Sequence, residues 1–183
     1  ARARIPIVST LTGSWLEGEH FGVEHWVRHQ AEPVWFSRGI SALIDAGYDL
    51  FVEIAPHPVV KTAIESALRE KGKRGLVLAT MQRDKDERGS LLDMLGACYV
   101  QGLPVRWRAV LSGLSGQAAD AHPAHDAGRA FLLPLSTRSA EALPALARAY
   151  RELATGNEAE LQDIAYTASV RRSHHSHRLA VVG

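Results

Sequence analysis

The sequence predicts an α/β fold, and three observations between Ser37 and Leu68 carry the prediction. First, Ile40, Leu43 and Ile44 fall on one face of a helix, and Gly47 follows as its C-terminal stop. Second, Tyr48 to Ile54 is mostly apolar, the pattern of a strand covered on both faces. Third, Ala55-Pro56-His57-Pro58 is a rigid corner, because each proline fixes its own φ and biases the residue before it toward extended geometry. A second helix then covers about 59–71, with Val60, Ile64, Ala67 and Leu68 on its inner side. Helix, buried strand, corner, helix is the layering of an α/β sandwich. Ligands in such sheets bind beyond the carboxyl ends of strands, so the corner at 55–58 is a place for a site.

Composition narrows the class. The chain has 183 residues, 46% hydrophobic and 22% charged, which fits a water-soluble globular protein with one domain or two small ones. A formal net charge of +1 supplies no global drive toward nucleic acid or membrane. Cys98 is the one cysteine, so no internal disulfide framework exists and a cytoplasmic setting is expected. No apolar run approaches the roughly 20 residues of a membrane span. The chain lacks an initiator methionine and ends inside an apparent strand at Leu179 to Gly183, so a piece of a longer polypeptide is expected.

The remaining elements follow in order. Ile5 to Thr10 reads as a short strand with Pro6 at its start, and 11–21 as a glycine-containing loop. Val23, Trp26 and Val27 mark a short helix ended before Pro33. After a turn at Lys71 to Gly75, Leu76 to Thr80 is a strand, and Gln82 to Gly89 a charged loop. Ser90 is a candidate cap for a helix whose inner face is Leu91, Leu92, Met94, Leu95, Cys98 and Tyr99, with Gly102 as its exit. Leu103 to Trp107 reads as extended, and 112–130, nearly all small or polar, as a linker. Phe131 to Leu135 is a strand, and Ser139 a cap for a helix bearing Leu143, Leu146, Tyr150 and Leu153, kinked by Pro144 within it. Asn157 with Glu160 resembles a capping box, and Arg171 to Arg178 a basic, histidine-rich loop before a last strand.

Four stretches together resemble the acyltransferase domain of a modular type I polyketide synthase. They are Ile5 to Gly13, Trp26 to Phe36 (WVRHQAEPVWF), Gly47 to Phe51, and Glu53 to Val59 (EIAPHPV). Their order and spacing match the C-terminal part of that domain, after its catalytic histidine. Leu91 to Trp107 is similar to the linker that follows such a domain and folds back along it. Phe131 to Gly183, through Leu133-Pro134-Leu135-Ser136 and Tyr166 to His175, resembles the linker subdomain that joins a ketosynthase to an acyltransferase. That order departs from the usual module, and two acyltransferases in tandem or an unusual module would explain it. The resemblance implies 1–72 as the end of an α/β-hydrolase-like core, 73–111 as a post-acyltransferase linker, 112–130 as flexible linker, and 131–183 as a small α+β linker subdomain.

The resemblance also implies a chemistry. The family moves a malonyl-type acyl group from coenzyme A to the phosphopantetheine thiol of an acyl carrier protein, and binds no further cofactor. Implied partners are that carrier protein, the ketosynthase and other domains of the synthase, and a second copy through the intact synthase. The reaction uses a serine on a Gly-x-Ser-x-Gly turn, a histidine base and backbone donors for the oxyanion. No Gly-x-Ser-x-Gly occurs here; Ser112-Gly113-Leu114-Ser115-Gly116 misplaces its serines relative to the glycines. Nucleophile and base are therefore expected upstream of this chain, which alone is expected to be inactive.

What the resemblance carries over is support. His29, three residues ahead of Glu32, stands where the family's backbone carbonyl holds the catalytic imidazole, which would fix its tautomer. Its bland alternative is a histidine that merely suits a helix C-terminus. His57 reads as a wall of the acyl pocket or, more simply, as a corner histidine bonded to nearby backbone. Glu53 reads as a partner of Arg28 or Arg38, or as a solvated strand-end charge. His174, His175 and His177 lack a second ligand cluster and sit among Arg171, Arg172 and Arg178, which argues against metal. The same run is short and without aromatics, so a solvated linker face near a carrier protein's acidic surface fits better than nucleic-acid binding. Two functions stay open: part of an acyltransferase, and an interdomain scaffold.

Overall fold

Apolar periodicity, prolines and glycines place most helices of the N-terminal half where the sequence expects them. In the computed structural model, which describes residues 3–115, 130–155 and 161–183, the chain divides into two units, 1–81 and 82–183.

In the first unit, β1 (Ile7–Ser9) and β2 (Ser14–Leu16) form an antiparallel hairpin with Ile7 opposite Leu16 and Ser9 opposite Ser14. The sequence reading put a loop over β2, because three residues are too few to show alternation. Helix α1 (Val23–Ala31) stops just before Glu32 and Pro33, and α2 (Phe36–Asp45) ends where Gly47 takes φ +90°. Strand β3 (Leu50–Glu53), helix α3 (Lys61–Glu70) and β4 (Leu76–Ala79) then form a β-α-β crossover, with the two strands parallel and Leu50 opposite Leu76. Ile40, Ile44, Phe51, Ile64, Leu68 and Val77 make the core. The expectation that β3 is covered on both faces is corrected: Phe51 and Glu53 are buried, while Val52 is 39% exposed. Helices α2 and α3 cover one face only, so an apolar strand acquires the alternation of a one-sided sheet. Strand β4, assigned from sequence to the following linker, belongs by its pairing to this sheet.

The second unit is built on α4 (Glu87–Val100), packed against the antiparallel pair β5 (Leu132–Thr137) and β6 (His177–Val182). The cap is Asp86, whose carboxylate accepts the Gly89 N–H, rather than Ser90, which already lies inside the helix. Gly96 permits the close approach: a Cβ there would stand 3.1 Å from Ala180 Cβ and 3.3 Å from Leu132 Cδ1. Helix α5 (Trp107–Ser115) occupies residues the sequence reading left extended or in linker; Trp107, Val110 and Leu111 have helical spacing, but the polar residues that follow masked it. In α6 (Leu143–Thr155), Pro144 lies in the first turn, where its missing N–H interrupts no helical bond, so the expected kink has no cause. Helix α7 (Leu161–Tyr166) runs into one π-helical turn at Thr167–Arg171. The Asn157–Glu160 capping box and residues 116–129 of the linker lie outside the described residues. Leu92, Tyr99, Trp107 and Leu132 form this unit's core.

Candidate functional site

His29 lies in the last turn of α1, half-buried, where a carbonyl has no intrahelical donor unless the chain continues as helix. Pro33, four residues on, has no N–H to give to the His29 carbonyl, and the Glu32 N–H goes instead to Arg28 at 2.8 Å. Among the described residues the main-chain oxygen at His29 thus has no helical donor, because the chain leaves α1 at Glu32 and Pro33. The side chain is engaged separately, with Nε2 2.9 Å from the Thr10 hydroxyl. Phe21, His25 and Trp26 crowd the same helix face, His25 meeting Phe21 at 4.6 Å and Trp26 edge-on at 5.2 Å between ring centroids. His25, 8% exposed, is buried in this cluster and carries no signal in the sequence beyond its i−4 spacing to His29.

Glu53 is neither paired with an arginine nor solvated, and both sequence readings of it are corrected. It is 9% exposed, and its carboxylate accepts the N–H groups of Val59, Val60 and Lys61 at 2.6, 3.0 and 3.0 Å. Arg28 instead chelates Glu32 at 2.7 and 3.1 Å, and Arg38 stacks on Trp35 at 4.6 Å. The prolines at 56 and 58 fold the corner back so that the orphan donors at the start of α3 point at the end of β3. Burial alone pushes the Glu53 carboxyl up, but the three backbone donors and the nearby His57 outweigh it and hold the group below its ordinary value. His57 is half-buried at the tip of this corner, beyond the carboxyl end of β3. A carboxylate at a strand end followed by a proline corner and a helix start is the sequence signal that could have revealed this cap.

The basic run of the second unit turns inward. His174 has Nε2 3.0 Å from the Ser169 carbonyl, so that nitrogen donates, and Nδ1 2.9 Å from the Tyr99 hydroxyl, which in the neutral ring it accepts. Tyr99 is 1% exposed, and burial pushes its phenol up, against smaller opposing contributions from Ser136 and Arg178. Arg178 lies over the Tyr99 ring at 4.8 Å and donates to the carbonyls of Tyr99, Leu103 and His175 at 3.0, 3.3 and 2.8 Å. It satisfies the C-terminal end of α4, where a cation suits the helix dipole. The reading of this run as a solvated face is therefore corrected for His174 and Arg178. Ser112 sits in α5 with its hydroxyl bonded back to Arg108 at 2.9 Å, not on a strand-to-helix turn. Cys98 is buried, which pushes its thiol up, and it meets Met94 sulfur at 3.8 Å. Among the described residues no helix is long and apolar enough to cross a membrane.

Comparison with known proteins defines the class. Residues 1–103, more than half of the chain, match the acyl transferase domain family, and residues 131–183 match a CurL-like polyketide synthase C-terminal family. The chain belongs to the acyl transferase domain family, as the C-terminal part of an α/β-hydrolase-like acyltransferase core with a small α+β linker subdomain. Its relatives are polyketide synthases. It is 30% identical over 123 residues to erythronolide synthase EryA2 of Saccharopolyspora erythraea, covering 66% of this chain and 3% of the relative. With orsellinic acid synthase ArmB of Armillaria ostoyae it shares 33% identity over 119 residues, covering 61% of this chain and 5% of the relative. The acyltransferase domain from the second module of the salinomycin polyketide synthase superposes with a TM-score of 0.54 at 28% identity, covering 67% of this chain and 28% of that one. A loading acyltransferase from the avermectin modular polyketide synthase matches in fold, with a TM-score of 0.51 at 24% identity, over 54% of this chain and 30% of that one. The chain thus spans a few per cent of the curated relatives it matches.

Proposed function

We propose that this chain is the rear portion of a polyketide synthase acyltransferase. The intact domain moves a malonyl-type acyl group from coenzyme A to the phosphopantetheine thiol of an acyl carrier protein. The serine and histidine of the reaction belong to polypeptide outside this chain, and coenzyme A enters as substrate carrier rather than as a resident cofactor. The ketosynthase and neighbouring domains of a dimeric synthase are the other partners. The observation that carries this reading is the His29 carbonyl, left without a helical donor by Pro33. An acceptor of that kind at one ring nitrogen of an incoming imidazole fixes the tautomer that leaves the other nitrogen basic. His57, at the mouth of the β3 corner, is proposed as part of the acyl pocket wall.

A specific observation favours a second reading, an interdomain scaffold: the 82–183 unit has its own core and its own polar lock at Tyr99, His174 and Arg178. Labelled malonyl-CoA separates the two. The upstream portion of the polypeptide, bearing the serine, is incubated with and without this chain. Acyl-serine that forms only when this chain is added supports the acyltransferase reading; labelling indifferent to the chain supports the scaffold.

A further inference from the structure

Thr10 holds both ends of the corner that carries the His29 carbonyl. Its hydroxyl lies 2.9 Å from Nε2 of His29, and its own carbonyl accepts the N–H of Trp35 on the far side of Pro33. The turn presenting Thr10 is itself tied down. The Gly13 N–H donates to the Ser9 carbonyl at 2.7 Å, and the Leu11 N–H to the Ser9 hydroxyl at 3.2 Å. Gly13 has φ +67°, and a Cβ there would stand 2.6 Å from Arg38 Cβ, so the turn lies flush against the first turn of α2. Of the bonds just named, the Thr10 hydroxyl supplies the one that reaches the His29 residue itself. The plane of the His29 carbonyl is fixed by α1, so where that carbonyl sits is set by whatever anchors the end of the helix and the chain leaving it at Trp35.

We propose that Thr10 is a positioning residue for acyl transfer: by clasping residues 29 and 35 from one turn, it aims the His29 carbonyl at the catalytic imidazole. The inference rests on the acyltransferase reading given above. A hydrogen bond weakens steeply once its angle falls, and small misplacements of a reacting group are costly in rate. Thr10→Val keeps the shape and the backbone carbonyl but removes the hydroxyl, whereas Thr10→Ser keeps the hydroxyl.

The test measures single-turnover acylation by labelled malonyl-CoA across pH, in the polypeptide that carries serine, histidine and this chain together. Thr10→Val is expected to slow acylation about tenfold, to leave KM within about twofold, and to move the acid limb of the pH profile. Thr10→Ser is expected within about threefold of the parent. A labelled parent whose Thr10→Val variant matches it in rate and profile overturns this proposal alone, as does a Thr10→Ser variant as slow as Thr10→Val. A folded parent that never labels overturns the acyltransferase reading and this proposal with it.

Discussion

In the 82–183 unit Tyr99 is 1% exposed with its hydroxyl on His174, whereas in the 1–81 unit Trp26 and Ile54 stand 55% and 85% exposed. The first unit pairs two parallel strands, an arrangement found almost only where helices or other layers cover both faces of a larger sheet. Among the described residues its second face carries Val52, and Val59 is exposed at the adjoining corner. The second unit pairs antiparallel strands, covers them with α4 and closes its polar groups on one another. The contrast lies in the strands: the antiparallel pair packs on α4 with the buried Tyr99 bonded to His174, whereas the parallel pair leaves Val52 exposed and Ile54 85% exposed at its end.

Tyr99→Ala is the sharpest way to break that contrast. It removes a buried ring, its bond to His174 and the platform under Arg178, and is expected to cost about 4 kcal/mol in denaturant unfolding of the 82–183 unit. A cost below about 1 kcal/mol would mean that unit is not closed as described. Glu53→Gln comes next, because one amide oxygen replaces a carboxylate that accepts three backbone donors. About 2 kcal/mol is expected at neutral pH. The sign with pH follows from the cause: the folded-state carboxyl lies below its ordinary value, so its contribution is complete above about pH 4.3 and is lost as pH falls through the lower folded value. Glu53→Gln should erase that part of the acid slope, and an unchanged slope would contradict the cap. The smallest change in stability is expected from Trp26→Ser, about 1 kcal/mol for the chain alone, because its ring is more than half exposed and only edges the His25 cluster. Its effect belongs to complementation: binding to the serine-bearing portion should weaken measurably, and undiminished binding would show that the exposed α1 face is not a docking surface.

Much of the α/β core could be read from residues. The spacing of Ile40 and Ile44, the stop at Gly47 and the inward set of α3 are local, and helix periodicity reports them directly. The His29 carbonyl is reached from sequence only through the family resemblance, although Pro33, four residues on and without an N–H, is a local signal for it. Glu53 was misread because its partners are main-chain groups six to eight residues later, and only the fold of the proline corner turns them toward it. Arg178 was misread for a related reason: its acceptors at Tyr99 and Leu103 lie more than seventy positions earlier in the chain. Charge in a sequence is visible, but whether water or a helix end receives it is not.

From residue order alone came the alternation of helix and strand and the absence of a nucleophile turn in Gly-x-Ser-x-Gly form, because each depends on neighbours within a few bonds. Tertiary structure alone decided that Thr10 spans the corner between His29 and Trp35, that Glu53 seats a helix and that Arg178 closes another. Those contacts join segments distant along the chain, and a polar group takes the partner that packing brings within about 3 Å.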